Sequence, residues 1–567
     1  MLFQSLTELC EKLSATTKRN QMTENVADFL KILDNEEVEP AVSMLLGRAF
    51  PKWDQRTLDV SWATISNVIE RLTKTDWKEF SATFKKTGDV GSATQAVFEV
   101  NKVHRQAALF EEPLTISEVR KVLEAIAEAT GQGARERKER YIESLFGRAN
   151  PVEAKYLVKI LIGEMRTGFH EGLMELAVSK AFSVPLKTVQ KATMYTGDIG
   201  EVAIICKKQG AQGVSNLSFT IFRPIKPMLA KMAETLDEPL REYGGKAAFE
   251  YKLDGARIQI HKLNSEVRIF SRRLTDVTRS LPEVVRQVRQ EIAVDKAILE
   301  GEVIALGQDG NPLPFQHLMR RFRRVHDINT MLMEVPVKLF LFDALHVNGE
   351  NLIDFPYLAR RQKLKEISGN IPLTEQIITD DVDQAKQFMR KAVDQGHEGL
   401  MAKRLDGPYT PGIRGKHWFK IKEILEPLDL VIVAAEYGYG RRHKWLSDYH
   451  LAARDEESGS FYMLGKTFKG LTDEEMEDMT QRLLEIAVRQ EGHVVFVKPS
   501  IVVEVAYNEI QESQTYECGM ALRFARITRI REDKSLDEAD TIQRVRQIYE
   551  KQFEKKSRLN RQQYREG

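Results

Sequence analysis

The chain has 567 residues, several times one typical hydrophobic core, so two to four domains are expected. Apolar residues make up 42% and charged residues 29%, an ordinary soluble composition that excludes a disordered chain. Lys plus Arg number 84 against 83 Asp plus Glu, so overall charge gives no ground for a nucleic-acid partner and only local patches can do so.

The amino terminus, MLFQSLTELCEKL, alternates apolar and polar residues at helical spacing and lacks the apolar run of a secretory signal. No stretch reaches membrane-spanning length, so no membrane partner is expected. Cys10, Cys206 and Cys518 are dispersed and form no C-x-x-C pair, which fits a reducing compartment and an intracellular protein of cytoplasm or nucleoid.

Residues 1–215 read as a helical domain. Thr115-Ile116-Ser117-Glu118 has capping-box spacing and is followed by Val119, Val122, Leu123 and Ile126 at helical intervals. Asn150-Pro151 opens another helix through Tyr156, Leu157, Ile160 and Leu161.

Near residue 245 the period shifts toward two. Phe249, Tyr251 and Leu253 alternate with other residues, and Ile258, Ile260, Val267 and Ile269 flank the turn-like Leu263-Asn264-Ser265. Strands over 297–306 and 337–342 and helices over 357–367 and 382–393 make residues 216–424 a mixed α/β domain. Pro427 marks a boundary, and the short apolar runs at 430–433, 461–464 and 494–505 make 425–567 a β-rich domain with a basic tail.

Lys252-Leu253-Asp254-Gly255 has the form K-x-D-G, which by itself also describes a surface lysine before a turn. Glu250 precedes the lysine by two, so on a strand both side chains project from one face. Arg257 and Arg272 add cations downstream. Then come Leu299-Glu300-Gly301-Glu302-Val303, Phe340-Leu341-Phe342-Asp343, Glu398-Gly399-Leu400-Met401-Ala402-Lys403 and Lys416-His417-Trp418-Phe419-Lys420-Ile421-Lys422.

The order and spacing of these segments resemble the nucleotidyltransferase motif series of ATP-dependent DNA ligases. Arg223 to Ala230 looks like the beginning of their adenylation domain, and Arg531-Glu532-Asp533-Lys534 resembles the last motif of their OB domain. The resemblance covers about residues 100–540 and is closest to the archaeal type, which is similar to eukaryotic replicative enzymes.

The fold it implies is multidomain α+β: an N-terminal all-helical DNA-binding domain, a mixed α/β adenylation domain and a C-terminal OB-fold β-barrel, closing around DNA. The activity it implies is sealing of 5′-phosphate/3′-hydroxyl nicks in duplex DNA through a lysyl-AMP and a DNA-adenylate, in replication, repair and recombination. ATP and Mg²⁺ are the implied cofactors, and the enzyme is expected to be a monomer.

By resemblance Lys252 is the nucleophile. With an ordinary pKa near 10.4, roughly one lysine in a thousand is neutral near pH 7.4, so its surroundings must release the proton. Glu250 would read the adenine amino group, Arg257 and Arg272 would hold ribose and phosphate oxygens, and Phe342 would stack on the purine. Glu302 and Glu398 would hold Mg²⁺. Arg414, Lys420 and Lys422 would compensate phosphate charge, and Arg531, Asp533 and Lys534 would orient pyrophosphate.

A ligase grips duplex backbone at any sequence, so scattered cations suffice. Candidate patches are Arg135, Arg137, Lys138 and Arg140; Arg320, Arg321, Arg323 and Arg324; and Arg441, Arg442 and Lys444. Gln106, Leu109 and Phe110 resemble the sliding-clamp motif of archaeal ligases, with Leu109 where an aromatic is usual; the same residues also suit packing into the protein itself.

Three rivals are weighed. RNA ligases and capping guanylyltransferases share the lysine motif, but neither normally carries so long a helical domain. NAD⁺-dependent DNA ligases usually carry a four-cysteine zinc module. A non-enzymatic nick-binding scaffold has no chemical need for Lys252, Glu302, Glu398 and Lys420 together.

Overall fold

The computed structural model describes residues 1–101, 112–307, 312–313, 318–319, 321–322, 335–412, 414–422 and 425–557, with side chains to residue 550. Gln106, Leu109, Phe110, Arg320, Arg323 and Arg324 lie outside the described residues.

Helices run from Phe3–Ser14 to Ile199–Ser215. The capping box expected at Thr115 forms: Glu118 N donates to Thr115 Oγ1 at 3.2 Å and Thr115 N donates to Glu118 Oε2 at 3.0 Å, opening the helix Ile116–Glu128. Asn150 caps Pro151–Ile162 in the same way. Their apolar stripes meet in one core, where Val119, Leu123 and Ile126 pack with Leu157 and Ile160.

Two of the expected basic patches change character. Lys138 is buried, and its ammonium donates to Leu58 O at 2.8 Å. Arg321 is buried, paired with Glu283 and donating to Val335 O at 3.0 Å. Each long stem carries its charge inward to backbone carbonyls, which charge counting along the chain cannot distinguish from a solvated face. Among the described residues no helix is long and apolar enough to cross a membrane.

Two five-stranded sheets follow. The first has the order β1-β10-β9-β2-β8 and contains β1 (Leu229–Met232), β2 (Ala247–Lys252), β8 (Gln376–Thr379), β9 (Gly399–Lys403) and β10 (Arg414–Lys422). The second has the order β4-β3-β5-β6-β7 and contains β3 (Ala256–Leu263), β4 (Glu266–Ser271), β5 (Lys296–Ala305), β6 (Val337–Val347) and β7 (Glu350–Asn351). One face of β2 buries Ala247, Phe249 and Tyr251 against the helix Val382–Asp394. The helices Pro282–Glu291 and Tyr357–Ile367 cover the second sheet through Val284, Val288, Leu364 and Ile367. Between the sheets, Phe342, Tyr409 and Trp418 share a core with Tyr195 of the helical region and Phe219 and Ile225 of the connecting segment.

That connecting segment is tied down. Ile225 N donates to Gln259 Oε1 at 2.7 Å, and Gln259 Nε2 donates back to Ile225 O at 3.2 Å. Beside it, Glu171 receives Lys226 at 2.7 Å, Arg48 at 3.1 Å and Lys52 at 3.7 Å. Burial pushes the Glu171 carboxyl up, but the three cations override it and hold it at about 2. A depressed acid stabilises the fold above its unfolded pKa of 4.5 and loses that contribution as pH falls toward 2. Glu171→Gln is therefore expected to cost roughly 3 kcal/mol at neutral pH and to flatten the stability profile between these limits. Denaturant titrations at several pH values test this, and an unchanged acid slope would refute it.

The last region is a seven-stranded sheet built on β11 (Leu428–Tyr437), β12 (Leu446–Arg454), β13 (Phe461–Thr467), β14 (Ala487–Glu491), β15 (Val494–Val497), β16 (Val502–Ala506) and, after the hairpin β17 (Glu509–Glu512) and β18 (Met520–Arg523), β19 (Arg526–Ile530). β11 pairs with β12, β15 and β16, which curls the sheet around Leu430, Ile432, Leu451, Leu464 and Val503. The helix Asp473–Glu485 closes this core through Met479 and Leu483, an element the strand-rich reading of this region did not include.

Candidate active site

Lys252 ends β2, where its carbonyl accepts from Glu398 N at 2.9 Å. Its ammonium lies 2.5 Å from Glu398 Oε2, which also receives Lys422 at 2.5 Å. Two motif glycines make this close approach possible. A Cβ on Gly255 would stand 2.4 Å from Val303 O, and Gly399 has φ +142° with Ile421 O 2.3 Å from its absent Cβ.

Burial alone would raise the Glu398 carboxyl, but Lys252 and Lys422 hold it at about 2. Glu302 behaves oppositely: burial pushes it to about 8, Lys252 and Arg257 offset this only in part, and Glu398 and Asp254 add to it. Lys420 is pulled down by burial and then by Lys252, Lys422, Arg414 and Arg272. Cations from β2, from β10 and from the end of β4 thus converge on one place, an arrangement that like-charge repulsion disfavours unless a polyanion joins it.

Deeper in the cleft, Glu250 shares the Lys252 face of β2, while Phe249 and Tyr251 occupy the other. It is buried and receives Lys403 at 2.6 Å, Gln376 Nε2 at 3.1 Å, Arg361 at 3.5 Å and the Tyr357 hydroxyl. From β3, Arg257 donates to Glu300 at 2.6 Å, Met228 O at 2.7 Å and the Tyr409 hydroxyl at 3.1 Å. Its guanidinium carbon lies 5.4 Å from the centres of both the Phe342 and Trp418 rings.

Three family profiles match this chain: "DNA ligase N terminus" over residues 2–177, "ATP dependent DNA ligase domain" over 227–422 and "ATP dependent DNA ligase C terminal region" over 442–534. The chain belongs to the ATP-dependent DNA ligases. DNA ligase 1 of Korarchaeum cryptofilum is 47% identical over 557 residues, spanning 98% of this chain and 99% of that protein. The DNA ligase of Thermococcus fumicolans is 43% identical over 552 residues, spanning 97% and 98%. The solved structure Pmar-Lig_PreS3, 18% identical, shares the fold over 93% of this chain and 99% of its own, with a TM-score of 0.58.

In this ligase Lys252, Glu302, Glu398, Lys420 and Lys422 meet at the mouth of the cleft, with the exposed Arg272 and Arg414 at its rim. Glu250, Arg257 and Phe342 lie further in, the last two side by side. Arg531 and Lys534 instead pair with Asp429 inside the C-terminal sheet region. The ligase site also contains residues to which sequence reasoning assigned no role. Lys403, Tyr357, Arg361 and Gln376 surround Glu250, and Trp418 packs edge-on to Phe342 with ring centres 6.2 Å apart. A lysine closing the apolar strand Gly399–Lys403 was the available signal, because a buried ammonium requires a counter-charge.

Proposed function

We propose that Lys252 is the nucleophile through which this ligase seals nicks, the reading supported above all by the convergence of Lys252, Lys420, Lys422, Arg414 and Arg272 beside two carboxylates. The neutral Lys252 amine attacks the α-phosphorus of ATP. A P–N bond forms, the bond to the bridging oxygen breaks, pyrophosphate leaves with the electron pair, and the amine proton passes to solvent. An oxygen of the nick's 5′-phosphate then attacks the same phosphorus, and lysine leaves and regains a proton. The 3′-hydroxyl next attacks the 5′-phosphorus, its proton passing to solvent, which joins the strand and releases AMP with the bridging electron pair.

Glu398 holds the Lys252 ammonium at 2.5 Å and so aims it before attack. Lys420, Lys422, Arg272 and Arg414 offset phosphate charge, Phe342 and Trp418 offer ring faces and edges for the base, and Arg257 stands beside them for the ribose. Glu250, fixed by Lys403 and Arg361, offers a carboxylate to the adenine amino group.

Mg²⁺ fits this donor set. Glu302 and Glu398 are hard oxygen ligands, and burial with too little nearby cation keeps the Glu302 carboxyl high. Among the described residues no group of three or more His, Cys, Asp and Glu could hold an ion, and Glu302 and Glu398 are the two carboxylates that would hold it here. When bound, it would spread the charge of the transferring phosphate.

We read residues 1–215, 216–424 and 425–567 as the helical, adenylation and OB-type domains, because the unbroken run of helices ends at Ser215 and the new sheet begins at Leu428. The ligase is read as an intracellular monomer acting on nicked duplex DNA. A sliding clamp is the proposed partner of Gln106, Leu109 and Phe110, and loss of clamp binding in Phe110→Ala, with adenylation intact, is the expected result. The test of the function is an α-labelled ATP incubation chased with nicked DNA. Label leaving the protein through a DNA-adenylate to free AMP, as the nicked strand is sealed, supports the reading, and label chased only by nicked RNA would overturn it.

A further inference from the structure

Arg531 and Lys534 have counter-ions already. Arg531 Nη1 donates to Asp429 Oδ1 at 3.0 Å and Oδ2 at 3.1 Å, and Lys534 Nζ donates to Asp429 Oδ2 at 2.6 Å. The opposite side of the same guanidinium faces Asp533, with Nε donating to Oδ1 at 2.9 Å and Nη2 to Oδ2 at 2.7 Å. Arg531 thus lies between Asp429 on one side, where Glu504 Oε2 also stands 3.8 Å from Nη1, and Asp533 on the other.

Asp429 and Asp533 differ in how firmly they are held. Asp429 is the second residue of β11, its N–H donates to Asp540 Oδ2 at 2.7 Å, and its carbonyl accepts from Asp540 N at 2.8 Å. Its side chain is 13% exposed, against 51% for Asp533. Separating Arg531 from Asp429 would take one of two cations from a largely buried carboxylate, whereas an exposed pair such as Arg531–Asp533 contributes about 0–1 kcal/mol. Phosphate oxygens match the fork that Asp533 occupies.

We propose that Asp429 is a positioning residue for adenylation: it holds Arg531 and Lys534 side by side, leaving the solvent-side fork of Arg531 to pass from Asp533 to the pyrophosphate of ATP. The proposal rests on the reading that Arg531 and Lys534 serve pyrophosphate. Asp429 lies just beyond Lys422 of β10, so the residue that orders the cations also roots the domain that must deliver them.

The test compares single-turnover formation of lysyl-AMP with sealing of a nick that already carries AMP, in the full chain and in Asp429→Asn and Asp429→Glu. Asp429→Asn is expected to adenylate about 10–100-fold more slowly at saturating ATP, the range seen when an orienting partner is lost. It should also require more pyrophosphate to strip AMP from the lysine, and should seal the pre-adenylated nick at the wild-type rate. Wild-type adenylation, or an equal fall in both steps, would overturn the proposal. If Asp429→Asn does not fold, Asp429→Glu decides: slowed adenylation with unchanged melting supports it and unchanged adenylation overturns it. Arg531→Ala adenylating at the wild-type rate would instead remove the reading on which the proposal rests.

Discussion

Lys252→Ala is expected to lose covalent AMP labelling and nick sealing by about 10⁴–10⁶-fold, the scale on which enzymes lose rate when an attacking group is deleted. No neighbour can substitute. Lys420 and Lys422 project from β10, and Lys422 is held by Glu398 at 2.5 Å. The same variant should still seal a nick that already carries AMP, because that step needs the cations and carboxylates but not the lysine nitrogen. Retained AMP labelling would exclude Lys252 as the nucleophile. Loss of the last step as well would mean that the alanine had collapsed the cleft.

Asp343→Ala is expected to be the most destabilising single change in the adenylation region. Asp343 and Arg360 are both 0% exposed, with Arg360 Nε donating to Asp343 Oδ1 at 2.8 Å and Nη2 to Oδ2 at 3.0 Å. Arg360 also donates to Phe355 O at 2.7 Å and Gly407 O at 3.0 Å, so this guanidinium ties three chain segments together. Removing the carboxylate leaves a buried cation uncompensated, at a cost of about 3–5 kcal/mol. At about 2–4 °C per kcal/mol for a domain of this size, the transition should fall by roughly 6–20 °C in calorimetry. Because Asp343 follows Phe342 on β6, AMP labelling should fail at the lowered transition while surviving well below it. A shift of less than about 2 °C would show that the pair carries little net stability.

Much of the architecture was legible because its causes are local. The capping boxes at Thr115 and Asn150 join residues three apart, and the hairpin at Leu263-Asn264-Ser265 needs only Asn264 at φ +51° between two alternating runs. The two faces of β2 also follow from alternation, which is why Glu250 and Lys252 could be placed together before any coordinates. The helix Asp473–Glu485 was missed because the short apolar runs around it dominate the pattern of that region.

The sequence by itself determined the helical and strand-rich halves, the motif series and the side of β2 that carries chemistry, since each depends on spacings of two to four residues. The tertiary structure alone decided which charges are used and which are spent. Glu250 meets Tyr357, Arg361 and Lys403 from more than a hundred residues away, Lys138 and Arg321 turn inward, and Arg531 and Lys534 find Asp429. Periodicity shows which way a side chain points, but sheet register and burial determine what it meets there, and a charge acquires its role from the partner that lowers its desolvation cost.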